Sequence, residues 1–196
     1  MFYALRNLFA LVGVIAVIIA IIISLKMAPM MQVFESFDER AIDVYSDMIE
    51  KIIETGNAAE ATVWKIPVNE DLSVDDVEET MRFVANEHNI KNVGELPLSG
   101  QIEAMSGKKS RFIKIYMFCN ALTAAQMLEY NDAYSAYLPC RISLVEDKQG
   151  KFWLYSLNMD AMIYGGTPLP PALKTEAEGV KTIILDIMNR SAEGDF

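Results

Sequence analysis

The spacing of apolar residues changes character several times along the chain. From Leu8 to Leu25 there is no polar face at all: 18 residues run without a charge, and only Gly13 and Ser24 depart from the strongly apolar or small classes. As a helix this stretch reaches roughly 27 Å at about 1.5 Å per residue, close to the roughly 30 Å hydrocarbon core of a bilayer. It reads as a membrane span meeting lipid through Leu5–Leu25. A secretory signal has a shorter apolar region of about 7–15 residues and a small-x-small cleavage site. Lys26-Met27-Ala28-Pro29-Met30 offers no good site, so the span reads as an uncleaved anchor. Positive charges on the two flanks barely discriminate. A short tail ahead of a long domain favours the N-terminus inside and the domain outside.

Proline lacks an N–H and disfavours helix at the residue before it, so Ala28-Pro29 predicts a break. A second helix is then expected from Val33 to about Thr55, where Phe34, Phe37, Ala41, Tyr45, Met48, Ile49, Ile52 and Ile53 recur at spacings of three and four before Gly56-Asn57. Its apolar stripe has to be covered, by its own domain or by a second chain in a stalk. Ala61–Val68 alternates around Trp64 and Ile66 as a strand, with Pro67 marking an edge or an end. Ser73 then caps a helix whose face is Val74, Val77, Met81, Val84 and His88. Asp75, Asp76, Glu78 and Glu79 read as its solvated side.

Asn92–Lys109, with Gly94, Pro97, Gly100 and Gly107, reads as loop. Phe112–Cys119 alternates most clearly: Ile113, Ile115, Met117 and Cys119 point one way, Phe112, Lys114, Tyr116 and Phe118 the other. Asn120 caps a helix from Leu122 to about Tyr130. Cys140–Val145 and Lys151–Leu157 flank Glu146-Asp147-Lys148-Gln149-Gly150, the chemistry of a hairpin turn. A last helix runs from about Ala172 to Arg190 and buries Leu173, Ala177, Val180, Ile184, Ile187 and Met188. Strands and helices in this order predict an α+β fold, an antiparallel sheet packed with helices, preceded by one transmembrane helix and an amphipathic helix. The expected organisation is an anchor at 1–28, a juxtamembrane amphipathic helix at 29–60 and the α+β domain at 61–196.

Composition sharpens the partners. The 196 residues are 52% hydrophobic and carry a net charge of −10; without Arg6 and Lys26 the remainder holds 15 basic against 27 acidic residues, or −12. Such a surface repels nucleic acid and offers no polybasic contact to anionic lipid.

Cys119 and Cys140 stand at strand ends with 20 residues between them. In an oxidising compartment they are candidates for a disulfide, whose chain-entropy contribution for such a loop is roughly 3 kcal/mol. Reduced core thiols are the second reading. A redox pair or soft-ligand site is the third, although no Cys-x-x-Cys spacing or flanking base lowers a thiol pKa. Met105, Met117, Met127, Met159 and Met162 add thioethers that suit copper(I) or haem iron. His88, the one histidine, falls on an apolar stripe, as a buried structural residue or as an axial haem ligand. Arg141 calls for a carboxylate from Glu146 or Asp147, or an anionic ligand. Tyr130, Tyr134 and Tyr137 read as packing and rim residues. His88, Met117 and Arg141 are the ligand-cleft candidates. No catalytic residue and no metal set is assigned, because multi-histidine, nucleophile-elbow, dinucleotide and P-loop spacings do not occur.

Phe118-Cys119-Asn120, Leu138-Pro139-Cys140-Arg141-Ile142 and Glu146 to Leu154 together resemble the family called domain of unknown function 302, over roughly Thr62–Met188. The chain is most similar to membrane-anchored bacterial members with both cysteines, a kind associated with sulfur oxidation. The resemblance implies a compact α+β domain and a homodimer, and supplies no activity. The expected protein is a single-pass inner-membrane protein with a periplasmic domain, a non-enzymatic binding or accessory module with a cleft near Cys119 and Cys140. The alternative is a redox or haem/metal-binding protein of sulfur or electron-transfer metabolism, so the cofactor stays unknown.

Overall fold

The computed structural model describes residues 2–196; Met1, where the predicted anchor begins, lies outside the described residues, as do the side chains of Leu5 and Leu8. Helix α1 (Phe2–Phe34) contains one stretch, Phe9–Ala28, long and apolar enough to cross a membrane, and none of it is buried against the rest of the chain. The expected break at Pro29 does not occur. Its missing N–H costs the helix one backbone hydrogen bond, and good helix formers on both sides, Leu25 to Ala28 and then Met30 and Met31, carry the helix through.

The chain turns instead over residues 35–40, and Asp38 holds that turn. Its N–H donates to the Gly166 carbonyl at 2.8 Å, and its buried carboxylate accepts from Lys174 Nζ at 2.5 Å and from the Arg40 N–H at 3.1 Å. Burial alone raises the carboxyl pKa, but the Lys174 ammonium and the Arg40 N–H bring it below the ordinary carboxylate value. Asp38→Ala removes the one carboxylate that pairs, among the described residues, with the half-buried Lys174 ammonium. We expect a loss of about 2–3 kcal/mol, seen as faster proteolysis at residues 35–40 together with a lower melting temperature.

The second helix therefore begins later than the spacing predicts. Helix α2 (Ala41–Thr55) is followed by the short α3 (Ala58–Ala61), and together they lead into strand β1 (Val63–Pro67). Gly56 ends α2 at φ +66°, where a left-handed residue closes the last turn. Next come α4 (Val74–Glu87), β2 (Lys91–Leu96), α5 (Leu98–Ser106), β3 (Ile113–Cys119), α6 (Ala121–Tyr130), β4 (Cys140–Glu146), β5 (Phe152–Leu157), α7 (Asp160–Tyr164) and α8 (Pro171–Glu193). The expected loop at 92–109 is thus mostly structured. Strand β2 is an edge with a bulge between Asn92 and Gly94, so it lacks clean alternation, and α5 starts directly after Pro97.

All strands pair antiparallel in the order β1-β5-β4-β3-β2. Pro67 ends an edge strand, where a missing N–H does least harm. Gly150 takes φ +82° in the β4–β5 turn, as the hairpin requires. In α4 the Ser73 hydroxyl accepts from the Asp76 N–H while the Asp76 carboxylate accepts from the Ser73 N–H.

One face of the sheet carries Tyr116, Phe118, Ile142, Leu144 and Leu154 into a core with Val77, Met81 and Val84 of α4 and Ile184, Ile187 and Met188 of α8. A smaller core joins α2, α6, α7 and the start of α8 through Val44, Met127, Met159, Ile163, Leu173 and Ala177. The opposite sheet face presents Ile115, Met117, Val145, Trp153, Tyr155 and Leu157, all half-buried or exposed.

Candidate functional site

Strands β3, β4 and β5 reach the same end of the sheet, because Phe118 pairs with Cys140 and Ile142 with Ser156. Asn120 turns the chain there: its side-chain oxygen accepts from the Leu122 and Thr123 N–H groups and starts α6. Helix α6, the 3₁₀ segment Asp132–Tyr137, the Met159–Met162 turn and α8 close over this sheet end. They border a partly open cavity of about 50 Å³ whose walls include Phe118, Cys119, Met127, Tyr134, Cys140, Met159 and Met162.

Five sulfur-bearing residues thus line one pocket, although they come from separate elements. Met105 does not join them, being 90% exposed on α5. Nor does Met117, which lies on the opposite sheet face between Gly94 and Arg141. Water needs roughly 10–15 Å³ and an ordinary organic ligand site roughly 300–1,000 Å³, so the cavity suits an ion, a few waters or the tip of an apolar group.

Both cysteines are free thiols, and the expected disulfide is not formed. Cys140 is directly opposite Phe118, so Cys119 lies one residue past that pair, and both cysteines line the same pocket. Burial raises the Cys140 thiol to about 11, with Cys119 adding to the shift. At neutral pH it then holds about a hundredfold less thiolate than an ordinary thiol. Native protein is expected to react with iodoacetamide at Cys140 far more slowly than denatured protein, as peptide mass spectrometry of time points will measure.

Arg141 is exposed at the pocket mouth, and no ion pair to it occurs among the described residues. Its expected partners sit at the far end of β4, about 17 Å away at five residues of strand rise. There the Glu146 carboxylate accepts from the Phe112 N–H at 2.9 Å, and Asp147 accepts from Trp153 Nε1 at 2.9 Å. His88 is not on a buried stripe either. Helix α4 ends at Glu87, and His88, exposed and away from the pocket, places Nε2 2.7 Å from Asp186 Oδ2 on α8.

Glu78 is the other correction, since it is buried and not part of a solvated face. It accepts from Tyr116 Oη at 2.6 Å, Lys114 Nζ at 2.7 Å and Arg82 Nη2 at 2.7 Å, and Lys114 also pairs with Glu95 at 2.8 Å. The sequence held a signal for this network: Lys114 alternates in phase with Phe112, Tyr116 and Phe118, and a lysine on a core face requires a carboxylate.

The geometry therefore defines an α+β domain with an apolar, sulfur-lined pocket at one sheet end, following a helix able to cross a membrane. The model of the family "Domain of unknown function DUF302" matches residues 64–190, and the chain belongs to that family. The crystal structure of an uncharacterized conserved DUF302 protein from Bacillus stearothermophilus is similar, with a TM-score of 0.54 and 16% identity over 66% of this chain and 98% of that one. A likeness at that identity establishes the α+β fold. No curated protein matches the chain.

Proposed function

We propose that this chain is a membrane-tethered extracytoplasmic binding module, held by α1 in an inner membrane with its domain in the periplasm, and acting as a homodimer. The observation that carries the reading is the pocket: a small apolar cavity at the sheet end, lined by aromatic, cysteine and methionine residues, with Arg141 at its rim. Such a lining favours capture of a small apolar or soft ligand. The neutral Cys140 thiol supports a binding role over thiol redox chemistry.

Support for the dimer comes from the uncovered sheet face. A face exposed to water is ordinarily polar on an antiparallel sheet, whereas this one carries the half-buried Trp153, Tyr155, Val145, Ile115 and Met117 beside Lys65, Arg141 and Ser143. A second copy would pack against it at roughly 10 Å, as sheets do.

The metal form of this reading has its own support, since Cys119, Cys140, Met127, Met159 and Met162 line one cavity and copper(I) prefers thiolate and thioether donors. The detergent-solubilised chain will separate the two by titration with copper(I) and with small apolar probes such as indole. Uptake of neither, in protein with intact near-UV circular dichroism, would overturn the binding role. Light scattering of the same sample measures the oligomer.

A further inference from the structure

Helix α2 carries three stripes where an ordinary surface helix carries two. Ala41, Val44 and Met48 face the domain. Asp43, Asp47, Glu50 and Glu54 form an acidic edge. The third stripe, Ile42, Tyr45, Ile49, Ile52 and Ile53, is apolar and open, with Ile42 at 66%, Ile49 at 57% and Ile53 at 80% exposure.

The position of α2 in the chain says what covers this stripe. Helix α1 continues from Ala28 to Phe34, about 9 Å beyond its membrane-crossing stretch at 1.5 Å per residue. Only residues 35–40 then precede α2. That turn is not a free tether, because Asp38 is bonded to Gly166 and Lys174 and keeps α2 and the domain close to the anchor. The Phe34 and Phe37 rings, 5.2 Å apart, extend apolar surface from α1 toward α2, and aromatic rings suit the water–lipid boundary. The stripe holds no charge and the acids lie on another edge, so attraction to lipid is hydrophobic and suits a bilayer of low negative charge.

We propose that α2 lies in the headgroup–acyl boundary of the bilayer that holds α1, with Ile42, Ile49 and Ile53 inserted and the acidic edge in water. The proposal rests on α1 being a retained anchor. It also fixes the height of the domain, placing α2 as a second point of contact between the domain and the membrane surface.

The test reconstitutes the full chain in phosphatidylcholine vesicles, with and without brominated acyl chains that quench tryptophan. Ile49→Trp, Ile53→Trp, Glu50→Trp and Ile18→Trp are each compared with the parent, which contains Trp64 and Trp153. Brominated lipid is expected to quench the added emission at positions 49 and 53 several-fold more than at position 50. Equal or absent quenching at all three overturns the proposal. Ile18→Trp reads the anchor separately: quenching there alone leaves the anchor standing and rejects the α2 contact, while none at any position rejects both. A second copy of α2 as the occupant would give unquenched, blue-shifted emission at position 49 that reverts on dilution in lipid, and that outcome also overturns the proposal.

Discussion

Glu78→Ala is expected to cost about 3–5 kcal/mol, because it leaves buried partners without an acceptor rather than merely deleting a contact. Tyr116 is 1% exposed, and among the described residues its hydroxyl donates to Glu78 alone, while Lys114 keeps only Glu95. Thermal unfolding of the detergent-solubilised chain, followed by near-UV circular dichroism, should show a fall on the order of 10 °C. Tyr116→Phe removes one neutral donor and leaves Glu78 paired with Lys114 and Arg82, so its loss should be closer to 1 kcal/mol.

The same network sets two edges on a pH profile. Burial opposes ionisation of Glu78, yet Lys114, Tyr116 and Arg82 together bring its pKa below the ordinary 4.5. Its contribution is therefore full above about pH 4.5 and is lost as pH falls through the lower native value. Tyr116 moves the other way: burial, and then the Glu78 carboxylate beside it, raise its pKa far above 10. The folded protein holds that proton while the unfolded chain releases it, so stability declines as pH rises past about 10. Tyr116→Phe should remove much of this alkaline decline and leave the acid edge.

Most of the fold was legible where one residue period persists over a whole element. Strand β3, helix α4 and helix α8 bury the faces their spacing predicts, and Ser73, Asn120 and Gly150 do the local work their chemistry suggests. Strand β2 and helix α5 were illegible because glycine and proline at 94, 97, 100 and 107 look like loop punctuation, while the bulged edge strand hides its alternation. Pro29 misled for the opposite reason: a local rule costs one hydrogen bond, and the surrounding helix outweighs it. The site was half legible. Strand ends placed Cys119 and Cys140, but Met127, Met159 and Met162 meet them only through the packing of α6 and α7 against α8. His88 failed because a helix ended one residue sooner than its stripe, and the Arg141 ion pair failed because Glu146 and Asp147 lie at the far end of β4 and take other partners.

Phe118→Ala is the change that couples stability to the pocket. Phe118 is fully buried in the main core and also forms a pocket wall, so truncation should cost about 3–5 kcal/mol through lost transfer energy and the space left behind. The void opens beside an existing apolar cavity of about 50 Å³, and an enlarged apolar cavity stays dry and admits a small aromatic molecule. Benzene or indole should therefore raise the melting temperature of Phe118→Ala more than that of the parent, since a ligand bound only by the folded state stabilises it by mass action. Leu144→Ala is the control, because Leu144 is equally buried in the main core and does not line the pocket. A similar loss of stability in both variants, with ligand rescue confined to Phe118→Ala, would show that the sheet end is continuous with a ligand-accessible cavity. Equal rescue of both would instead mean that the aromatic molecule fills any void in this core, and the sheet-end pocket would lose its claim as the binding site.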